Sequence, residues 1–275
     1  MKYNCTVLFA KNISDILYHF KTTSNLTVCG ACTQIQEMPS TILILRNIEE
    51  LKQISCKERY IEFGSAVTLS KILELGEKRM PPVLFQAVSS TAVPLVRNVA
   101  TIGGNICAKG IKRTLFAPLL ALEAKLEIRN YLETKVIPIS QFNEIPDGYF
   151  LTKIRVPFDE WDLQIFKRVG AAFTVDKTSA SYTFLANTKK GLLSELHIAF
   201  CGLFKFRNRD LENVLIGAKL PLSDKVIENM LDEASVYFDE HAVLSDLSDE
   251  YVEEDKEILK NQFINLLKYS LEQLT

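Results

Sequence analysis

Two stretches of the 275-residue sequence combine residue types and spacings that can do chemistry. The first is Val96-Arg-Asn-Val-Ala-Thr-Ile-Gly-Gly-Asn105, where adjacent glycines remove two Cβ atoms. The backbone there is free to take unusual φ values and to come close to a ligand. Successive free amides in such a loop form a nest for an anion. Thr101 and Asn105 add side-chain donors at its edges, so Ala100, Thr101, Ile102, Gly103, Gly104 and Asn105 read as a candidate pyrophosphate loop. The second stretch is Cys29-Gly-Ala-Cys32. A CxxC pair serves redox chemistry or supplies half of a zinc site, which needs four ligands. No second pair exists, and His19, His197 and His241 stand away from any cysteine at ligand spacing. The pair reads first as two small residues in a tight loop, with redox or metal use as the alternatives.

What is absent narrows the chemistry. There is no GxGxxG and no GxxxxGK[ST], so a Rossmann or P-loop nucleotide site is unsupported. The six cysteines are too few and too scattered for a secreted disulfide scaffold or an iron–sulfur cluster. A formal net charge of −2 gives no global reason to bind nucleic acid. The apolar run Thr6–Ala10 is broken by Lys11 and is too short for a signal-peptide core, and no stretch approaches the ~20 apolar residues of a membrane span. The expectation is a cytoplasmic, soluble protein with neither nucleic-acid nor membrane partners.

The elements that must position these residues follow from periodicity. At ~150 residues per domain the length predicts about two domains. Residues 3–9, Leu26–Cys29 and Thr41–Leu45 read as strands, with a helix capped by Ser14 between the first two. Tyr60–Phe63 reads as a strand, Thr68 as the N-cap of a helix ending near Gly76, and Val83–Val88 as a helix. Leu115–Leu126 reads as an apolar helix, followed by paired strands at 126–128 and 135–137 and a strand at Leu151–Val156. Pro157 and the polar Phe158–Asp162 mark a boundary. Beyond it come strands at Leu163–Val169, Ser179–Ala186 and Glu195–Phe200, then helices at 210–216 and 224–238 and a long last helix. Ile258, Leu259, Phe263, Leu266, Leu267, Leu271 and Leu274 share one face of that helix. Asp249, Glu250, Glu253, Glu254 and Asp255 suit the positive end of its dipole, with an acidic interaction tail as the alternative reading of this run.

The string Arg97–Asn105 resembles the R-N-V-A-T-I-G-G-N signature of the FAD-binding (medium) subunit of molybdenum hydroxylases, the xanthine dehydrogenase and carbon monoxide dehydrogenase family. The resemblance runs along the chain. Gly64–Leu69 is similar to G-A-x-x-T-L, Pro118–Ala124 to P-x-L-L-A-L-D-A and Phe166–Gly170 to Y-x-K-V-G. Ala199–Gly202 with Arg207 is similar to A-x-G-G-x-x-x-x-P-x-R, and Ser248–Tyr251 to the start of S-x-E-Y-R. The fold this implies is α+β. A two-lobed α/β FAD-binding domain over 1–162 (lobes about 1–56 and 57–162) precedes a C-terminal domain over 163–275 with a three-stranded antiparallel sheet and helices.

The resemblance also implies a cofactor and a role. Cys29, Gly30, Ala31, Cys32, Thr33 and Gln34 stand where the family has its first pyrophosphate loop, A-G-G-T-D or close to it, with Ala31 replacing a glycine. Thr114 stands where the family has an aspartate that contacts FAD, and Arg168 where some members have a lysine near the flavin. Lys109-Gly-Ile-Lys-Arg113 carries three positive charges that suit FAD phosphates, an acidic partner or plain solvent. The implied protein is an oxidoreductase subunit that uses no catalytic side chain of its own. Its partners are a molybdenum-cofactor subunit, which oxidises the substrate, and an iron–sulfur subunit, which passes electrons to FAD here and on to an acceptor such as NAD. The alternative, motivated by Ala31, Thr114 and Arg168, is a cofactor-free structural or assembly subunit with the same fold.

Overall fold

The computed structural model describes residues 5–33, 39–171, 175–244 and 253–275. Its opening elements are β1 (Thr6–Phe9), α1 (Ile13–Thr22), β2 (Leu26–Cys29) and β3 (Thr41–Ile44). The strands form a parallel sheet in the order β1-β3-β2. Helix α1 is capped by Asn12, whose side chain accepts from the Asp15 amide at 2.8 Å, two residues before the expected Ser14. Asn12 is extended, the conformation an N-cap needs, whereas Ser14 already lies inside the helix. Ile16 of α1, Leu43 and Leu45 form a small core with Leu51, Ala66 and Phe150.

The chain continues through β4 (Ile54–Cys56), β5 (Tyr60–Gly64), α2 (Leu69–Leu73), α3 (Pro82–Ser89), α4 (Pro94–Arg97), α5 (Ile102–Ile106), α6 (Phe116–Ala121), β6 (Lys125–Arg129), β7 (Thr134–Pro138) and β8 (Phe150–Pro157). These strands form a five-stranded antiparallel sheet ordered β4-β5-β8-β6-β7. Thr68 caps α2 as expected, accepting from the Lys71 amide at 3.2 Å. Helix α6 is shorter than the apolar run Leu115–Leu126 suggests. Glu123 takes a φ of 56°, which ends the helix and turns Leu126 into the sheet.

Beyond residue 160 lie β9 (Leu163–Val169), β10 (Ala180–Lys189), β11 (Leu192–Cys201), β12 (Lys205–Phe206), α7 (Arg209–Val214), α8 (Asp224–Leu244) and α9 (Glu253–Leu271). The three expected strands pair antiparallel, and the two-residue β12 extends the sheet to β12-β11-β10-β9. Lys190 and Gly191 form the β10–β11 turn, both with positive φ, which matches the twist of a tight hairpin. One face of the sheet, with Tyr182, Phe184, Ile198 and Phe200, packs with Phe238 of α8 and Phe263 of α9. Helix α3 packs against β9, and α6 against β10 and β11. Asp249, Glu250 and Ser248–Tyr251 lie outside the described residues; α9 begins at Glu253.

By internal contacts the chain divides into two compact units. One comprises Met1–Pro81, Thr91–Lys109 and Glu123–Asp159; the other comprises Pro82–Ser90, Gly110–Leu122 and Glu160–Thr275. No helix among the described residues is long and apolar enough to cross a membrane.

Candidate functional site

The first unit contains a cleft of about 510 Å³, within the ~300–1,000 Å³ usual for small-molecule sites. Several segments build it. The end of α1 and strand β2 supply Phe20, Leu26 and Val28, and the loop after β2 supplies Gly30. The turn after β5 supplies Ser65 and Ala66; the start of α5 supplies Thr101, Gly103 and Gly104; Lys109 and residues 144–151 complete the wall.

Hydrogen bonds lock the two glycine-bearing loops in place. Thr101 is the N-cap of α5, and its Oγ1 accepts from the Gly104 amide at 3.0 Å. The Ile102 amide donates to Val67 O, the Gly103 amide to Ser65 O and the Asn105 amide to Thr101 O, each at 3.0 Å. The amides of residues 102–105 are therefore engaged inside the protein, and both glycines are helical. This differs from the expected nest of free amides with unusual φ. The physical reason for glycine here is close approach. A Cβ on Gly103 would lie 2.6 Å from Ser65 O, and one on Gly30 would lie 2.6 Å from Thr101 Oγ1. Gly104 is different: a Cβ there meets only Thr101 Oγ1, at 3.1 Å, within 4 Å.

The sequence-predicted residues divide clearly. Gly30, Thr101, Gly103 and Gly104 meet on the cleft wall. Ala100, Ile102 and Asn105 are not among the lining residues: Ala100 O accepts from the Leu69 amide, the Ile102 side chain is buried, and the Asn105 amide donates to Thr101 O. Cys29 ends β2, and Ala31, Cys32 and Thr33 follow it in the loop; none of the four lines the cleft. It is Cys32, at φ 56°, and not Ala31 that takes the left-handed conformation, so the methyl of Ala31 is accommodated. Gln34 lies outside the described residues. Thr114, buried just before α6, and Arg168, whose Nη2 donates to Ala171 O at 2.6 Å, belong to the second unit. Burial without a compensating charge lowers the pKa of Arg113 in that unit.

All cysteines among the described residues are free thiols. Burial, and then the neighbouring Cys32, push the Cys29 thiol up to about 12, which keeps it un-ionised and a poor nucleophile. No group of three or more His, Cys, Asp or Glu among the described residues is placed to hold a metal ion.

Sequence reasoning missed Ser65 and the apolar wall. Ser65 follows Gly64 at the end of β5, and its hydroxyl is buried with no hydrogen-bond partner among the described residues. Phe20, Leu26 and Val28 read in the sequence as ordinary core positions. The donor set fits FAD. The hydroxyls of Ser65 and Thr101 and the ammonium of Lys109 suit an anionic portion, and the apolar side chains suit a ring system.

The comparisons with known proteins agree with this construction. The chain is 32% identical over 170 residues to the "Xanthine dehydrogenase FAD-binding subunit" of Escherichia coli O157:H7, a match covering 58% of each chain. The chain thus spans little more than half the length of that relative. Among solved structures, carbon monoxide dehydrogenase from Hydrogenophaga pseudoflava contains a chain that superposes with a TM-score of 0.83 at 15% identity, covering 100% of this chain and 98% of that one. A chain of quinoline 2-oxidoreductase from Pseudomonas putida 86 gives 0.79 at 14% identity, covering 100% and 99%. At these identities the two structures show the shared fold. Residues 7–159, which carry every segment that lines the cleft, match the family described as "FAD binding domain in molybdopterin dehydrogenase". A match over more than half of its length places the chain in that family of FAD-binding domains.

Proposed function

We propose that the chain is the FAD-binding electron-transfer subunit of a molybdopterin-dependent hydroxylase or dehydrogenase, docked to a molybdenum-cofactor subunit and an iron–sulfur subunit. The observation that carries this reading is the meeting of Gly30 with Thr101, Gly103 and Gly104 on one cleft inside the family-matched region. Thr101, Gly103, Gly104 and Gly30 would hold FAD, which would supply redox chemistry between iron–sulfur clusters of a partner and an acceptor such as NAD. The protein's own part is positional. Thr101 Oγ1 accepts from Gly104, so its proton is left to donate to the ligand. The glycines bring the two loops together, and Phe20, Leu26 and Val28 exclude water from one wall.

A second reading, a cofactor-free structural or assembly subunit, draws on the engagement of the 102–105 amides within the protein. Uptake of FAD by the purified full chain separates the two. The first reading expects a flavin absorption band that persists through gel filtration. A colourless protein after incubation with excess FAD overturns it. Gly104→Val, which adds a side chain on the cleft wall with little to meet inside the protein, is expected to weaken FAD uptake at least tenfold while the fold persists by circular dichroism.

A further inference from the structure

Ser65, one of the residues lining the cleft, has a buried hydroxyl that nothing among the described residues satisfies. The residue is 5% exposed, and Oγ has no hydrogen-bond partner among the described residues. Native structures rarely leave such an atom unpaired without a reason. The backbone around it is fully engaged. The Ser65 amide donates to Thr152 O at 2.9 Å, and Ser65 O accepts from the Gly103 amide at 3.0 Å. These bonds, and not the hydroxyl, hold the turn. They also place the Ser65 side chain against Gly103, where an added Cβ would lie 2.8 Å from Ser65 Cβ.

That position fixes the chemistry the hydroxyl meets. On the same cleft, Thr101 Oγ1 already accepts from the Gly104 amide, so what Thr101 offers a ligand is its proton. Lys109 lines the same cleft and offers only donors. Two hydroxyl protons and an ammonium group suit an oxyanion. Glu144 and Asp147 also line the cleft, from the separate 144–151 segment, and suit the uncharged part of a ligand instead. We propose that Ser65 is a ligand-contacting residue of this cleft, its hydroxyl donating to a phosphate oxygen of the FAD pyrophosphate. The inference rests on the FAD reading above and names one further contact within it.

The test titrates the full chain and its Ser65→Ala variant with FAD, with ADP, which has the pyrophosphate without the flavin, and with riboflavin, which has the flavin without phosphate. Loss of one hydrogen bond to a charged oxygen is expected to weaken FAD and ADP each about tenfold and to leave riboflavin unchanged. The melting temperature of the ligand-free variant is expected to stay level or rise, because the missing hydroxyl had no partner. Equal FAD affinity in the two proteins overturns the inference while leaving the FAD reading standing. So does a loss seen with riboflavin but not ADP, or a lower ligand-free melting temperature. A wild-type chain that takes up no FAD overturns the FAD reading and this inference with it.

Discussion

Gly103 shows how a correct residue can be found for an incomplete reason. The sequence marks it through the adjacent glycines, and general chemistry suggests backbone freedom and open amides. In the folded chain its φ is ordinary, its amide is bonded to Ser65 O, and what demands glycine is the carbonyl 2.6 Å from where a Cβ would be. Close approach between segments 38 residues apart in sequence leaves no local signature, so it was not legible. Gly103→Ala is accordingly expected to destabilise the first unit by roughly 1–3 kcal/mol, the usual range for overpacking, read as a lower urea midpoint. An unchanged midpoint shows that the loop gives way. Ser65 was equally silent as a site residue, since the sequence shows it only as one position of the Gly64–Leu69 resemblance. What sets it apart is a place on the cleft wall together with a buried hydroxyl that has no partner among the described residues.

At the scale of elements the periodic signals served well. The hairpin over β10 and β11, the Thr68 cap and the buried face of α9 (Leu259, Phe263, Leu267 and Leu271) follow from alternation, capping chemistry and helical spacing, whereas Ile258, expected on that face, is exposed. Short elements did not. Helix α5 carries two glycines, the poorest helix formers after proline. It forms because Thr101 caps it and because Val67 O and Ser65 O receive its first amides. The second unit has its own buried device: the sequence marks Arg207 by resemblance, but not its partner. Arg207 and Glu212, 9% and 5% exposed, pair at 2.8 Å. Glu212 Oε1 also accepts from the Ile198 amide at 2.7 Å, and Arg207 Nη1 donates to Leu120 O at 3.0 Å. One ion pair thereby ties β11, α7 and the end of α6 together. Arg207→Met strands a buried carboxylate and is expected to cost about 3–5 kcal/mol, measured by denaturant unfolding. A loss below about 1 kcal/mol contradicts this account.

For the whole molecule, composition and charge say little, and connectivity says much. Each unit is assembled from three separate stretches, with Pro82–Ser90 and Gly110–Leu122 contributed to the second unit from within the family-matched 7–159 region. A cut at the apparent sequence boundary near residue 160 therefore removes α3 and α6 from the sheet they pack on. A 160–275 fragment is expected to expose that apolar sheet face, bind a hydrophobic dye and lack a cooperative melt. A soluble fragment with a sharp transition refutes the dependence on α3 and α6.

The pairing of β5 with β8 matters while the chain is being made. Glu62 and Arg155, bonded across those strands, are 93 residues apart in sequence. At ribosomal speeds of about 5–20 residues per second, β5 waits on the order of 5–20 s before its partner is even synthesised. During that interval one edge of β5 is open, the kind of edge that recruits stray strands. By the time β8 closes it, Pro82–Ser90 and Gly110–Leu122 of the second unit have already been made, so the cleft-bearing unit is finished while two stretches of its neighbour still wait for the sheet that Glu160–Thr275 supplies.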